Sequence, residues 1–293
     1  MKVAVFTNLY KNYSLKHFLS TIKKLHKKSI DVFIDEHSIE NMGQKKYSSF
    51  PKHVETFSKL DKSFDFVICI GGDGTILRAA SYVNNLSIPI IGVNTGRLGF
   101  LAKIQATKID AAINAIINKK YVISERALVT ISTRTKNGKT KKLGYALNEI
   151  SITRKNTTSL ITIETKLNDN YLNTYWADGL IIATPTGSTG YSLSCGGPII
   201  MPDSKNLVIT PIAPHNLNVR PLVVPNNTKI SIKISGRENE FFVSLDSKIT
   251  TLSNKNIISI KKASHTIKMI ELEKEDFLET LRDKLFWGKD RRN

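Results

Sequence analysis

The chain has 293 residues, of which 41% are hydrophobic, 23% charged and 8% aromatic. This composition excludes a disordered tail protein, a collagen-like fibre and a disulfide scaffold, and the length favours two packed domains over one. The 43 lysines and arginines outnumber the 25 acidic residues, for a net charge of +18, so a nucleic-acid-binding protein stays open as an alternative of a different class. Because the basic residues form no arginine-rich block, we expect most of them to be solvated surface lysines.

The sequence shows no signal for secretion or membrane insertion. Its longest apolar runs, at 66–70 and 180–183, are far shorter than the roughly 18 to 20 residues of a membrane span. Residues 1–8 lack a signal-peptide cleavage site and indicate a first strand. Cys69 and Cys195 have no Cys-x-x-Cys spacing, which argues against a zinc site or a redox pair. We expect a cytoplasmic protein without a membrane partner.

The first 125 residues alternate apolar strands and amphipathic helices, the pattern of a doubly wound parallel sheet. The pattern predicts strands at 2–7, 30–34, 64–70 and 88–93, and helices from residue 14 onward and at 54–60, 76–83 and 107–118. The polar stretch 38–51 is predicted to be a mobile loop. Residues 1–125 are therefore expected to form an N-terminal α/β domain.

From residue 126 the hydrophobic period changes to two. Strands are predicted at 128–134 and 145–153 around an Asn-Gly turn, at 161–167 and 171–176 around a second turn, and at 179–183, 207–211, 229–235, 240–245 and 257–261. We expect residues 126–270 to form an antiparallel β-sandwich domain. A helix is predicted at 273–287, and residues 271–293 are expected to pack back on the N-terminal domain as a helix with a basic tail.

The strongest local signal is the sequence Gly71-Gly72-Asp73-Gly74-Thr75, between a predicted parallel strand and a predicted helix. Ligands bind at the carboxyl ends of such strands, and free N–H groups at a helix N-terminus attract phosphate. The glycines allow close approach of the backbone, and Asp73 at the tip can face a substrate hydroxyl or a metal. The alternative is a tight turn in which Asp73 only caps the helix. Walker A spacing is absent.

Two more segments favour a binding site. Residues 94–101 follow the next predicted strand, and Asp178–Pro198 crowds hydroxyls, glycines and a tyrosine behind another strand. Ordering segments so rich in small, polar residues costs conformational entropy, which favours a role in binding a ligand.

These motifs, together with Leu147-Asn148-Glu149-Ile150, closely resemble the NAD kinase family, whose members use ATP to phosphorylate the 2'-hydroxyl of the adenosine ribose of NAD. The resemblance extends from Gly71 to Asp246, nearly the whole chain. The Gly-Gly-Asp-Gly element is shared with lipid kinases and phosphofructokinases, whereas Asp178–Pro198 is far more specific. The resemblance implies an N-terminal α/β domain, a C-terminal β domain that binds NAD, an active site between them, and a homo-oligomer, either dimer or tetramer. It also implies Mg²⁺, or another divalent cation, carried by ATP.

The resemblance assigns roles to single residues. It implies that Asp73 is the catalytic base with Gly74 beside the nucleotide, and that Asn148 and Glu149 hold the adenine and ribose of NAD. Asp178 matches a further dinucleotide contact. The loop that closes around the adenosine half matches Thr189, Gly190, Tyr191, Ser192, Leu193 and Ser194.

At three other positions, the role is open or the residue differs from the one that many family members carry. Arg78, one turn into the predicted helix, resembles an NAD-contacting position and can reach a pyrophosphate; the alternative is a solvent-facing arginine. Lys248 stands where many members carry Gln, and Trp176 where some carry a basic residue. No metal-ligating side chain is predicted.

Two alternatives to an NAD kinase remain. A diacylglycerol-type lipid kinase would share the Gly-Gly-Asp-Gly turn but needs an apolar cleft, whereas the C-terminal motif positions here are polar. A nucleic-acid binder would use the basic surplus, although we expect no nucleic-acid partner.

Overall fold

The structure is a computed structural model that describes residues 1–7, 12–40, 54–96, 98–135, 138–156, 159–272 and 277–287. The chain divides into two compact units. Unit 1 comprises Met1–Glu125 and Ile267–Asn293, and unit 2 comprises Arg126–Thr266. In the described part of the chain, no helix has the length and apolar character needed to cross a membrane.

Unit 1 is a parallel sheet with helices. Its strands are β1 (Lys2–Thr7), β2 (Asp31–Asp35), β3 (Glu55–Phe57), β4 (Phe66–Ile70), β5 (Ile90–Asn94) and β6 (Ile104–Gln105), and its helices are α1 (Asn12–Lys27), α2 (Glu36–Glu40), α3 (Asp73–Val83), α4 (Ile109–Ile117) and, by position in the chain, α6 (Phe277–Leu285). The strand order is β5-β4-β1-β2-β3, and β6 pairs with β5. The predicted α/β fold is confirmed.

The core of unit 1 explains its sequence pattern. All five residues of β4 and of β5 are buried, as expected for parallel strands covered on both faces. On α1, the side chains of Phe18, Ile22 and Leu25 are buried and pack in the same core as the strands. Their spacing of four and three places them on one helix face.

One prediction in unit 1 is wrong, and a second is wrong at its first residues. The stretch 54–60, predicted as helical, contains β3, which pairs in parallel with β2 from Phe33↔Glu55 to Asp35↔Phe57. Without β3, the backbone groups of β2 on that side would be unpaired, so sheet pairing overrides a short helical pattern. The predicted loop 38–51 begins inside α2, and residues 41–53 lie outside the described residues.

Unit 2 is a sandwich of antiparallel sheets. Its strands are β7 (Val122–Arg134), β8 (Thr140–Ala146), β9 (Glu149–Arg154), β10 (Ile161–Leu167), β11 (Asn170–Ala177), β12 (Gly179–Ala183), β13 (Asn206–Ile212), β14 (Leu222–Pro225), β15 (Ile230–Ser235), β16 (Glu240–Leu245), β17 (Lys248–Ser253) and β18 (Ile257–Glu271), with one short helix, α5 (Tyr191–Ser194). One sheet contains β11-β10-β15-β18 with β7 and β8, and the other is β14-β13-β12-β9-β16-β17. The inner faces of both form one buried core, which confirms the predicted sandwich.

Several strand boundaries differ from the prediction. The predicted strand 145–153 is divided between β8 and β9, which belong to different sheets, and Leu147-Asn148 connects them. Strand β18 continues to Glu271, and its end lies in unit 1, where Met269 pairs with Ile90. The predicted helix 273–287 is α6, and residues 273–276 lie outside the described residues.

A buried ion pair anchors α3 in unit 1. Arg78 Nη2 lies 3.0 Å from Asp35 Oδ2, donates to Thr7 O at 3.0 Å, and lies 2.8 Å from Ser38 Oγ. Asp35 is only 1% exposed. Since Thr7 and Asp35 end β1 and β2, this arginine ties the helix behind the glycine-rich turn to the carboxyl edge of the sheet.

We predict that Asp35→Asn destabilises unit 1 by about 2 to 3 kcal/mol, because it leaves the Arg78 guanidinium without its buried counter-charge. Urea denaturation followed by circular dichroism measures the change. Asp31→Asn, at the exposed start of the same strand, is the matched control and is expected to change stability by less than about 0.5 kcal/mol. Equal midpoints for the two variants would contradict the anchoring role of the pair.

Candidate functional site

In unit 1, the glycine-rich turn presents backbone to solvent at the start of α3. The helix is 11 residues long, and its N-cap is Gly72, which has no side chain to cap the first N–H groups. A Cβ added at Gly72 or Gly74 would meet no described atom within 4 Å. This open helix N-terminus is suited to bind an anion such as a phosphate.

Asp73 is bound to a neighbouring loop. Its Oδ2 accepts the N–H of Phe100 at 2.9 Å, and its Oδ1 accepts those of Leu101 at 3.1 Å and Ala102 at 2.9 Å. The carboxylate is half-buried. The structure therefore places it neither at a free tip nor as a simple helix cap: it holds the loop of residues 99–102.

Gly99 makes this contact possible. A Cβ at position 99 would lie 2.0 Å from Asp73 Oδ1, so any larger residue would displace the carboxylate or the loop. The sequence alone did not single out Gly99 for this close approach.

The loop behind β5 also lines a small pocket. Its volume is about 200 Å³, and it is lined by Asn94, Thr95, Gly96, Leu98 and 105–107. The segment 94–101, predicted to be a ligand loop, thus contributes part of this pocket and two of the three amides that hold Asp73. Arg97 lies outside the described residues.

In unit 2, Asp246 organises the connection between β8 and β9. Its carboxylate accepts the N–H groups of Leu147 at 2.8 Å, Asn148 at 2.9 Å and Glu149 at 3.1 Å. The pKa of Asp246 is raised above its ordinary value, because the effect of burial is larger than the opposing effects of these three N–H groups and of the charge of Lys248. The three bonds turn the chain between the sheets and fix the backbone of Asn148 and Glu149.

The segment 184–190 packs on the same connection. Thr184 donates its N–H to Asn148 O at 2.8 Å, and a Cβ on Gly187 would lie 2.0 Å from that oxygen. Glycine is therefore required at position 187 for close approach of two backbones.

Asn148 and Glu149 present buried polar atoms toward this segment. Among the described residues, neither Asn148 Oδ1 nor Glu149 Oε2 has a hydrogen-bond partner, although both atoms are buried. A Cβ on Gly190 would lie 3.0 Å from Glu149 Oε2 and 3.5 Å from Asn148 Nδ2. Buried polar atoms without partners are rare because they cost free energy, so this pair indicates a ligand site.

The side-chain carboxyl group of Glu149 has a raised pKa. Burial, followed by the charge of Asp246, raises the pKa of Glu149 to about 7, and the backbone N–H of Tyr191 opposes the shift. Near neutral pH the carboxyl group therefore changes between a pure acceptor and a group that also donates a hydrogen bond.

Asp178 lies at the other end of the β9/β12 pair. Its carboxylate forms a two-point ion pair with Arg154, with Nε–Oδ1 at 2.8 Å and Nη2–Oδ2 at 3.1 Å. Strand pairing runs from Glu149↔Ala183 to Thr153↔Gly179, which separates the two ends by about 13 Å. Asp178 and Glu149 therefore cannot contact the same group of a ligand.

The predicted loop 189–194 contains both accessible and structural residues. Tyr191 and Ser194 are exposed, whereas Thr189, Gly190 and Leu193 are half-buried and Ser192 is buried. The Ser192 hydroxyl lies 2.8 Å from that of Thr210 inside unit 2, which makes it a structural group. Tyr191 offers an exposed ring that can stack on a base or sugar.

Arg78 is bound to the carboxyl edge of the sheet in unit 1. Its Nη2 group contacts Asp35, Thr7 and Ser38, and 22% of its side chain is exposed to solvent, so its contact with a pyrophosphate stays a prediction. Sequence reasoning also missed the structural roles of Arg154 and Asp246, because only tertiary pairing brings them to their partners.

Known proteins resemble the chain over its whole length. The ATP-NAD kinase N-terminal domain family matches residues 3–121, and the ATP-NAD kinase C-terminal domain family matches residues 147–272. NAD kinases of Flavobacterium johnsoniae and Flavobacterium psychrophilum are 49% and 52% identical, each with 100% of both chains covered. That of Bacteroides fragilis is 39% identical, again with 100% of both chains covered.

Two solved structures share the fold. Yeast NADH kinase complexed with NADH has a TM-score of 0.87 at 22% identity, covering 99% of this chain and 88% of that one. An NAD kinase from Archaeoglobus fulgidus in complex with ATP has a TM-score of 0.75 at 24% identity, covering 97% of this chain and 99% of that one.

The raised pKa of Glu149 predicts a pH-dependent stability. The folded carboxyl ionises near 7 and the unfolded one near 4.5, so its stabilising contribution is full below about pH 4.5 and is lost as the pH rises through 7. Glu149→Gln removes this loss. Relative to wild type, the variant is expected to gain on the order of 3 kcal/mol between pH 4.5 and pH 8. Urea denaturation across that range measures the difference, and a constant difference would contradict the assignment.

Proposed function

The chain belongs to the ATP-NAD kinase family and phosphorylates NAD, and we propose that Asp73 is its catalytic base and that Asn148 and Glu149 bind the dinucleotide. The reaction transfers the γ-phosphate of ATP to the 2'-hydroxyl of the adenosine ribose, giving NADP and ADP. The observation that carries the site assignment is the buried, unpartnered pair Asn148 Oδ1 and Glu149 Oε2. Family membership also decides against the lipid kinase and the nucleic-acid binder.

The hydrogen bonds of Asp73 support its role as the base. A carboxylate has about four lone-pair directions, and the amides of residues 100–102 occupy three of them. One direction thus remains for a ribose hydroxyl, and the three bonds fix the orientation of the group that receives the proton. General-base assistance of this kind is worth about 10² to 10⁴ in rate.

We place the ATP phosphates at the N-terminus of α3. Gly72 and Gly74 leave the backbone accessible there, and the free N–H groups and helix dipole favour negative charge. Arg78 anchors this helix through Asp35, which leads us to assign it a structural role beside any contact that it makes with a pyrophosphate.

We propose that Mg²⁺, or another divalent cation, arrives bound to ATP. The described residues contain no group of three or more His, Cys, Asp or Glu side chains that could hold a metal ion. The donor set therefore does not fit a protein cage. When bound to ATP, the cation would offset the negative charge of the phosphate groups.

On the dinucleotide side, the unpartnered atoms of Asn148 and Glu149 are suited to the hydroxyls and ring nitrogens of a nucleoside. Tyr191 supplies a stacking surface, and the other accessible residues of the same segment lie next to it in the chain: Thr189, Gly190, Leu193 and Ser194. Asp178, held by Arg154, would contact a more distant part of an extended NAD molecule.

A cytoplasmic homo-oligomer, dimer or tetramer, completes the proposal. Large apolar side chains on unit 2, including Leu217, Ile249 and Tyr171, are largely exposed, and exposed apolar surface of this kind often mediates association. Sedimentation of the purified protein tests the oligomeric state.

Asp73→Asn is expected to lower kcat by about 10² or more and to leave NAD affinity within a few-fold of wild type. Asparagine keeps the volume but loses the basic oxygen. NADP formation and NAD titration calorimetry measure the two effects. Activity above about a tenth of wild type would contradict the assignment of the base.

Asp246→Asn is the matched comparison, since it alters an aspartate that also holds three amides. We expect it to weaken NAD binding while kcat at saturating NAD falls less than in Asp73→Asn. Equal losses of kcat would mean that loop disruption, rather than loss of the base, explains the Asp73 variant.

Asn148→Ala and Glu149→Ala are each expected to weaken NAD binding by about 10 to 100-fold, the cost of a lost hydrogen bond to a well-ordered or charged partner. Affinity for a non-hydrolysable ATP analogue should change by less than about threefold, because the phosphate turn lies in unit 1. Calorimetry measures both. The control is Asn156→Ala, an exposed asparagine just beyond β9. Loss of ATP binding with NAD binding intact would overturn the assignment.

A further inference from the structure

The C-terminal helix contacts the loop that holds Asp73. On α6, the ring of Phe277 lies 6.3 Å from that of Phe100, at an interplanar angle of 43°. Lys284 Nζ lies 5.8 Å from the centroid of the same Phe100 ring. Because Phe277 and Lys284 are seven residues apart, they share one face of the helix. Both contact the aromatic ring of Phe100.

A second contact ties the far end of the same loop to the C-terminal segment. Lys103 Nζ lies 3.9 Å from Glu271 Oε1, and the two side chains are only 12% and 18% exposed. Glu271 is the last residue of β18. The loop Gly99–Lys103, which we term the aspartate loop, is therefore contacted at Phe100 and at Lys103 by residues that follow Ile267.

Within the aspartate loop, a turn bond from Gly99 N–H to Ala102 O at 3.2 Å closes the backbone. Its next three amides, those of residues 100–102, are all directed to the Asp73 carboxylate. The orientation of that carboxylate thus depends on the backbone position of a loop that Phe277, Lys284 and Glu271 contact from outside.

We propose that α6 and Glu271 brace the aspartate loop, so that Phe277 and Lys284 are positioning residues for Asp73. The inference rests on the catalytic role proposed for Asp73. Phe277 holds the ring of Phe100, the N–H of Phe100 holds Asp73 Oδ2, and the carboxylate keeps the geometry in which one oxygen can take a proton. Small misplacements of a reacting group reduce rates strongly, by up to about 10²-fold for 1 Å.

The kinetic test compares variants of α6. Phe277→Ala is expected to lower kcat by about tenfold while KM for NAD stays within about twofold, and Phe277→Tyr, which keeps the ring, should restore kcat. Lys284→Gln is expected to give a smaller loss. Glu279→Gln and Arg282→Gln, both exposed on α6, are the controls and should match wild type. Unchanged kcat in Phe277→Ala would overturn the positioning role of Phe277 in catalysis.

Hydrogen exchange tests the brace without reference to activity. In Phe277→Ala the amides of residues 100–102 are expected to exchange at least about tenfold faster, while those of β1 and β4 serve as an internal reference for intact folding. If Phe277→Ala does not fold, Phe277→Leu and Lys284→Gln take its place. Unchanged exchange at residues 100–102 in the folded variants would overturn the proposal.

A double variant separates this inference from the proposed function. If α6 acts through Asp73, adding Phe277→Ala to Asp73→Asn should reduce the residual kcat by less than about twofold. A full tenfold loss in that background would overturn the route through Asp73. If Asp73→Asn itself retains activity, the base assignment fails, while faster exchange of the loop amides still establishes the mechanical brace.

Discussion

Both units depend on the same interaction: one aspartate carboxylate accepts the N–H groups of three consecutive residues in a loop. Asp73 does this for residues 100–102, and Asp246 does it for residues 147–149. Loop amides that pair with neither a helix nor a sheet need another acceptor, and a charged oxygen is a strong one. Each carboxylate thus converts a polar segment into a fixed support for chemistry.

The interaction has different consequences in the two units. In unit 1 the carboxylate itself is the proposed reactive group, so the loop orients it. In unit 2 the carboxylate orients the loop, and the proposed ligands are the side chains of Asn148 and Glu149 that the loop carries. This arrangement costs folding free energy in unit 2, because it leaves two buried polar atoms without partners and raises the pKa of Glu149. A bound dinucleotide would satisfy both atoms and offset that cost.

Sequence patterns predicted the elements whose burial is uniform and missed the contacts made over long sequence distances. Strands β1 and β12 match their predicted bounds because continuous apolar runs identify them. Strand β3 was mistaken for a helix, since its pairing with β2 is not visible in a three-residue pattern. The Gly-Gly-Asp-Gly turn was found from its local context, but the direction of the Asp73 carboxylate depends on residues 27 to 29 positions away.

The arrangement of unit 2 also constrains where a long ligand can be contacted. Glu149 begins β9, whereas Arg154 ends it and holds Asp178. Because the strand pair is rigid and the two ends are about 13 Å apart, each end has a fixed distance from the other, set by hydrogen-bond register. An extended dinucleotide is long enough to contact both of these points. The spacing of the polar groups along one strand pair therefore suits a ligand that is bound at both of its ends.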